Sequence, residues 1–563
     1  MKRKLDYFFS GEGKWLRRVL LAAAVVRFIA AVFSEGYIMS DDHFLAVEPV
    51  SSWVCGENYH NWYPNAYNET DHAQPFSYAY YFLNFVILKF CALIGIVNPF
   101  IQAFVLRLAH AILSLWGVYL FVRLAERLIS SVTWRMYAIW FWVFGGVVTV
   151  FSVHQLVETA CIPFVLLAYL YVLKYFERER IVALIIAALA FSFSVGMRYQ
   201  LVFFPLTLGM YLLWKRKWSG ALLFGIFFTL GFALTQIDNL LFWHKPIYQH
   251  LLDYQAYNAT HFADYPSNVF SYFALISYYI FPTVTILFLL SFRRRLGAQQ
   301  GSAKGALQGL TEGSAKGALQ VPLEGASQVV PVLIGTIVFI VFHLIFPNRQ
   351  ERFLLPAVPF VLLLMIRTIS KRYSCSASSH EVPSSVRPSS NGPSHIVPSS
   401  NGPSHLVPSS TGPSHIVHQA MRLSIYLSAI YTVSYSFYIP KSKYLEASHA
   451  LFERGDFQNV VIDNWKGEES VWLPMHYVGK YVHPFSMTNK KTLDQLKQQI
   501  AHQPLFDSKR LPAPAPNYVI IWGREEAYPR IKQYQESGFE LQRISPANSE
   551  SEQGFALYAL NCL

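Results

Sequence analysis

Between Trp15 and Pro440 the chain runs again and again for close to twenty apolar residues, and many of these runs end in Trp, Tyr, Lys or Arg. A helix needs about 20 such residues to cross the hydrocarbon of a bilayer. Inside lipid every backbone N–H and C=O must be satisfied internally, so the runs read as spanning helices. Only 14% of the 563 residues are charged and 53% are apolar, against about 25% charged in an average soluble protein. The formal charge of +12 does not point to nucleic acid, because the basic residues lie in short clusters at the ends of apolar runs, where they set topology. The first run is long and has no clean small-residue cleavage site after it, so it reads as a retained span rather than a signal peptide.

Eleven spans are expected, at about 15–34, 100–122, 134–153, 157–175, 181–196, 199–214, 219–236, 268–292, 329–346, 352–366 and 420–438. With the N-terminus inside, the cytoplasmic turns receive Arg123 and Arg127, Lys174 to Arg180, Lys215 to Lys217, Arg293 to Arg295, and Lys371 with Arg372. Every strong basic cluster then lies inside. The apolar stretch Ser77–Ile96 could also cross, which would move all later clusters outside. It is therefore read as a helix in the outer leaflet with Lys89 at the interface, the opposite parity being the alternative.

The expected organisation is a membrane part at 1–440, with a first outer loop at 35–99 and low-complexity cytoplasmic loops at 296–328 and 373–418, followed by an outer soluble part at 441–563. GSAKGALQ occurs at 301–308 and 313–320, and a unit resembling VPSSNGPSHI recurs between 382 and 417. Both are too poor in apolar residues to pack a core. Beyond Pro440, the short apolar runs NVVI (459–462), YVII (518–521) and FALYAL (555–560) alternate with polar helix-like stretches and predict a small α/β unit. Its role, acceptor binding or stabilisation, stays open. The five cysteines show no metal-ligand spacing; only Cys55 and Cys562 would share an oxidising compartment.

Ionisable groups at a membrane boundary are costly unless solvated, paired or used. Directly after the first span come Asp41 and Asp42, then Glu48; alone, such a pair is a solvated helix start. Arg349 and Arg352 lie between two spans on the outer side, and Arg198 in MRYQ lies at a tight outer hairpin. Each alone is a headgroup anchor. Together they suit a phosphate, which guanidinium groups pair bidentately. Glu158 at the outer start of a span, and Asp238, Tyr257 and Asn258 in the loop after the seventh span, add carboxylate, amide and aromatic groups suited to sugar, although an interfacial aromatic belt would supply the same tyrosines.

The segment DDHFLAVEP resembles the Asp-Glu-x-Phe-Gln-x-x-Glu-Pro signature of the lipid-phosphate-mannose-dependent mannosyltransferases, glycosyltransferase family 22, which build asparagine-linked glycans and GPI anchors. Asp41 stands at the signature Asp, Asp42 at its Glu, and Phe44, Glu48 and Pro49 match directly. LVET (156–159) is similar to a family segment ending in Glu-Thr, the stretch from Asp238 to Asn258 to an Asp followed by an aromatic loop ending in Tyr-Asn, and NRQERFLLP to His-Lys-Glu-x-Arg-Phe before an apolar helix. Arg352 and Phe353 match there, whereas Ser40, Leu45 and Asn348 depart from the family's Pro, Gln and His. The matches keep their order over about 40–360.

The resemblance implies an all-α polytopic protein of GT-C type, here with a small C-terminal α/β extramembrane unit. It implies transfer of a sugar, mannose by resemblance alone, from a polyprenyl-phosphate donor to a lipid-linked or surface glycan. Asp41 is then the expected general base, Asp42 orients the acceptor or supports Asp41, Arg352 with Arg349 or Arg198 binds the leaving phosphate, and Glu48, Glu158, Asp238, Tyr257 and Asn258 are the expected substrate contacts. No cofactor is expected; a tandem Asp pair can hold a divalent ion, but no third ligand is evident and the arginines already bring positive charge. The expected partners are the lipid donor, the glycan acceptor and membrane lipid, with no nucleic acid. The rivals are a transporter or flippase, in which internal repeats or broken helices at mid-membrane are common, and a lipid-linked glycan polymerase. The expected location is a bacterial inner membrane with the site facing the periplasm, or the lumen of the ER in a eukaryote.

Overall fold

The computed structural model describes residues 13–57, 78–241, 244–260, 270, 272, 282–291, 329–346, 350–378, 413–439, 442–465, 467, 471–502, 514–522, 527–544 and 555–562, with the backbone alone at Asp41, Glu351, 374–378, 413–414, 442–443, 527–528 and Cys562. The membrane part is built of helices: α1 (Lys14–Phe33), the short α2 (Ser40–Phe44) and α3 (Val47–Val54), α4 (Tyr78–Leu93), α5 (Pro99–Leu128), α6 (Ile162–Arg178), α7 (Ile181–Met197), α8 (Trp218–Thr235), α9 (Gln249–Thr260), α10 (Val358–Ser378) and α11 (Pro413–Ser436), with shorter or intervening helices between them. Among the described residues, four helices are by themselves long and apolar enough to cross a membrane: Pro99–Leu128, Val157–Arg178, Trp218–Thr235 and Arg352–Tyr373. On α8, Leu222, Leu230 and Leu234 stand 57–67% exposed, a pattern that suits lipid rather than water as the surrounding medium.

Local signals set the helix ends. Asn98 caps α5, its Oδ1 accepting the N–H groups of Phe100 (2.9 Å) and Ile101 (3.2 Å), and Pro99 occupies the first turn, where its missing N–H costs nothing. Helices α7 and α8 approach through small residues. A Cβ placed on Gly231 would meet the Ser192 side chain at 2.8 Å, and the Ser192 hydroxyl donates to the Phe228 carbonyl at 2.8 Å, the close packing that small residues permit in membranes.

Two expected spans differ in detail. The run at 134–153 is not one helix: Val132–Val143 and Val147–Phe151 are separated at Gly146, whose φ of 56° only glycine adopts easily. The break is satisfied from α11. Thr432 Oγ1 accepts the Gly146 N–H at 3.0 Å, and the hydroxyls of Ser428 and Thr432 donate to the Phe144 carbonyl, as interrupted backbone in a membrane requires. Helix α11 starts at Pro413, inside the region read as a low-complexity loop; His418 lies against the rings of Trp134 and Tyr137 and bonds the Tyr137 hydroxyl at 3.1 Å. The repeats at 301–320, most of 382–417 and most of the span at 268–292 lie outside the described residues.

After α11 comes Ser442–Arg454 and then a five-stranded sheet of order β2-β1-β3-β5-β4: β1 Val460–Asn464, β2 Phe485–Thr488, β3 Tyr518–Trp522, β4 Phe539–Arg543 and β5 Phe555–Cys562. β1 runs parallel to β2 and β3, and β5 antiparallel to β3 and β4. Both faces are covered: Val460, Ile462 and Ile520 pack on one side, Val461, Val519 and Ile521 on the other, so the central strands are apolar throughout rather than alternating. The helix α12 (Met475–Val478) between β1 and β2 packs against α3 and α5, which brings this unit onto the first loop. Cys55 is a free thiol.

Candidate active site

α1 ends at Phe33 and the chain turns into α2 and α3. The turn is held by Asp42, whose Oδ2 accepts the Ile38 N–H at 3.1 Å and whose Oδ1 accepts the Met39 N–H at 3.2 Å. Asp42 is thus buried at the wall of an open cleft whose empty space, adjoining solvent included, is about 640 Å³. The other walls come from α4 (Tyr80, Tyr81), the segment before α6 (Gln155 to Glu158), the end of α7 with the turn after it (Met197, Arg198, Tyr199), Tyr254 of α9, and Arg352.

Glu158 organises the cleft's charge. Its Oε1 lies 3.2 Å from a terminal nitrogen of Arg198 and 3.5 Å from Nε of Arg352, and its side chain is 1% exposed. Two guanidinium groups around one buried carboxylate leave a net positive charge in a poorly hydrated place, where opposite charge is held strongly. The Phe353 ring fixes the pair from behind, with the Arg198 guanidinium carbon 4.4 Å and that of Arg352 5.6 Å from its centroid. Arg352 also donates to the Gln350 side-chain oxygen and reaches Met39 Sδ at 3.8 Å. It therefore touches the same turn that Asp42 ties.

The structure brings together Asp42, Glu158, Arg198 and Arg352. Arg349 lies outside the described residues, as does the side chain of Asp41, whose backbone belongs to α2. Four expected substrate contacts fall elsewhere. Asp238 pairs with the buried His250 at 2.9 Å, and Tyr257 and Asn258 lie on α9 but do not line the cleft; the Asn258 amide donates to the Tyr254 carbonyl at 2.8 Å. One helical turn back from Asn258, Tyr254 is the residue α9 presents to the cleft. Glu48 has no exposed surface; its Oε1 accepts the His476 N–H at 3.1 Å and lies 3.3 Å from His43 Nε2. Sequence reasoning missed Tyr80, Tyr81, Gln155, Tyr199 and Tyr254. Gln155, which directly precedes the LVET segment, and Tyr199, which follows Arg198 in MRYQ, carried a usable signal.

Burial pushes the Glu48 carboxyl up to about 8, against the opposing pull of the His476 and Met475 backbone N–H groups, and holds His43 and His476 down at about 3. The folded protein therefore keeps a proton at Glu48 that the unfolded chain releases from about pH 4.5 upward. This contribution is complete below that value and is lost as pH rises to about 8. The unfolding temperature of the wild type should consequently fall relative to Glu48→Gln between pH 5 and pH 8.5, by a free energy on the order of a few kcal/mol. Parallel pH profiles for the two proteins in a thermal-shift titration would contradict this. The histidine contributions are common to both and cancel. Among the described residues no group of His, Cys, Asp and Glu is arranged to hold a metal ion.

The fold aligns over 98% of this chain and 98% of the other with ArnT from Cupriavidus metallidurans bound to undecaprenyl phosphate, at a TM-score of 0.54 and 11% identity. The apo form of that protein aligns over the same shares at 0.52 and 12%. The architecture is thus of the GT-C type. No curated protein sequence matches the chain. The profile of the Alg9-like mannosyltransferase family matches residues 18–387, a stretch that takes in most of α1, the Asp41-Asp42 turn, Glu158, Arg198 and Arg352. The chain belongs to the Alg9-like mannosyltransferase family and is an integral membrane glycosyltransferase.

Proposed function

We propose that the protein transfers mannose, with inversion at the anomeric carbon, from a polyprenyl-phosphate donor to a hydroxyl of a glycan or glycolipid at the non-cytoplasmic face of its membrane. The observation that carries this reading is the grouping of Arg198 and Arg352 around Glu158 in the cleft walled by Asp42. The guanidinium groups bind the donor phosphate and stabilise the charge that grows on it as the glycosidic bond breaks. Asp41 takes the proton from the acceptor hydroxyl as it attacks the opposite side of the sugar, and Asp42 keeps the turn in place. A carboxylate of ordinary basicity suffices when the sugar already has oxocarbenium character and proton transfer comes late. No metal takes part in the proposed chemistry.

ArnT's binding of undecaprenyl phosphate is in keeping with a lipid-phosphate donor here. The distribution of basic clusters supports eleven spans with the N-terminus inside, which puts the cleft and residues 441–563 on the outer side. We place the protein in a bacterial inner membrane on the character of its repeat-bearing loops and its C-terminal unit. Purified protein given polyprenyl-phosphate mannose labelled in the sugar, with a panel of membrane lipid extracts, should form a labelled glycolipid whose linkage is inverted relative to the donor. A product of retained configuration would overturn the direct-displacement mechanism.

A further inference from the structure

Residues 472–481 touch the chain just where the Asp41-Asp42 turn ends. The His43 ring lies between two aromatic rings, Tyr37 at 4.8 Å and Tyr477 at 5.3 Å, the latter within 12° of parallel. Phe44 meets Trp472 edge-on at 5.3 Å, and the Ser51 and Tyr481 hydroxyls bond each other across 430 residues of sequence. In the middle of this contact the buried Glu48 carboxyl group accepts a backbone N–H from the first turn of α12, at His476. A helix of five residues such as α2 does not hold its shape unaided. Its shape is therefore set by what packs on it, and Trp472, His476 and Tyr477 of the C-terminal unit are part of that packing.

We propose that Glu48 is a positioning residue through which the C-terminal unit holds the Asp41-Asp42 turn in its working geometry. This rests on the reading of that turn as catalytic. It gives residues 441–563 a part in the reaction that requires no contact with either substrate. It also accounts for a carboxylate that follows the Asp pair closely in sequence yet never reaches the cleft: Glu48 acts backward on α2 through His43 and sideways on α12 through a backbone N–H. An error of about 1 Å in the position of a reacting group is enough to cost about 10²-fold in rate.

The test compares kcat and donor KM of full-length, purified variants with those of wild type, alongside the affinity for polyprenyl phosphate. Glu48→Gln keeps the volume and one oxygen for the His476 N–H, and should stay within about 5-fold of wild type. Glu48→Ala should lower kcat about 10²-fold while donor KM and polyprenyl-phosphate affinity change less than about 3-fold. Trp472→Ala acts from the opposite side of the contact, at a residue 54% exposed, so it opens no core; it should lower kcat about 10-fold with the unfolding temperature nearly unchanged. The inference is overturned if Glu48→Ala transfers at the wild-type rate, if its loss lies in KM, or if Trp472→Ala leaves kcat unaltered. Equal losses in Glu48→Gln and Glu48→Ala would also overturn it, because Glu48→Gln keeps an oxygen for the His476 N–H and that hydrogen bond would then not be at work. Wild-type transfer itself measures the reaction reading, so its failure is distinct from any of these ratios.

Discussion

Asp41→Asn is expected to lower sugar transfer about 10²–10⁴-fold, the usual cost of losing a general base, while donor binding and expression survive. Asparagine keeps the size and much of the hydrogen bonding of aspartate but cannot accept the acceptor's proton. The neighbouring change, Asp42→Asn, should cost less. Asp42 uses both carboxylate oxygens to accept the N–H groups of Ile38 and Met39, and an amide can replace only one of them. The remaining oxygen still ties the turn. If Asp42→Asn were inactive and Asp41→Asn active, the base would be the other carboxylate; equal, wild-type activity of both would remove the turn from catalysis altogether.

Arg352→Ala should be the most damaging change outside that turn. Removing one preorganised donor to a developing oxyanion typically costs about 10²–10³-fold, and here the loss also leaves the buried Glu158 with Arg198 as its one cation among the described ion pairs. The variant should lose donor affinity and rate together. Arg352→Lys should rescue only in part, because an ammonium cannot hold Glu158 and a phosphate with the planar, forked geometry of a guanidinium. Arg198→Ala should cost less than Arg352→Ala, since the Arg198 side chain is more exposed, 17% against 7%, and it is Arg352 that reaches the turn at Met39. Wild-type kinetics in Arg352→Ala would refute the phosphate assignment.

Much of this arrangement is legible in the sequence. Asp42, Glu158, Arg198 and Arg352 are polar residues at the ends of apolar runs, where charge is expensive and so draws notice. They meet in one cleft. Three apolar runs past Pro440 are the strands β1, β3 and β5, because central strands buried on both faces read as uninterrupted apolar segments. What sequence hid is what depends on tertiary partners. Glu48 looked like a sugar ligand because it stands in the same motif as the Asp pair; only packing against α12, more than 400 residues away, reveals its partner as a backbone N–H. Asp238 likewise reads as a sugar ligand in an aromatic loop, yet His250, twelve residues on, lies 2.9 Å from it. Tyr254 was passed over for Tyr257 and Asn258, since nothing in α9's mixed composition marks which face it turns to the cleft. The break at Gly146 was equally silent, as it depends on hydroxyls that α11 supplies.

The measurement that bears most directly on the central claim is donor choice by the purified wild-type protein in detergent or liposomes. Polyprenyl-phosphate mannose and the nucleotide donor GDP-mannose would be offered separately with the same acceptor lipids, and transfer of label followed. A cleft with two arginines beside a membrane-facing bundle predicts transfer from the lipid phosphate, inhibition by free polyprenyl phosphate, and no transfer from GDP-mannose. Transfer from GDP-mannose with none from the lipid donor would contradict it.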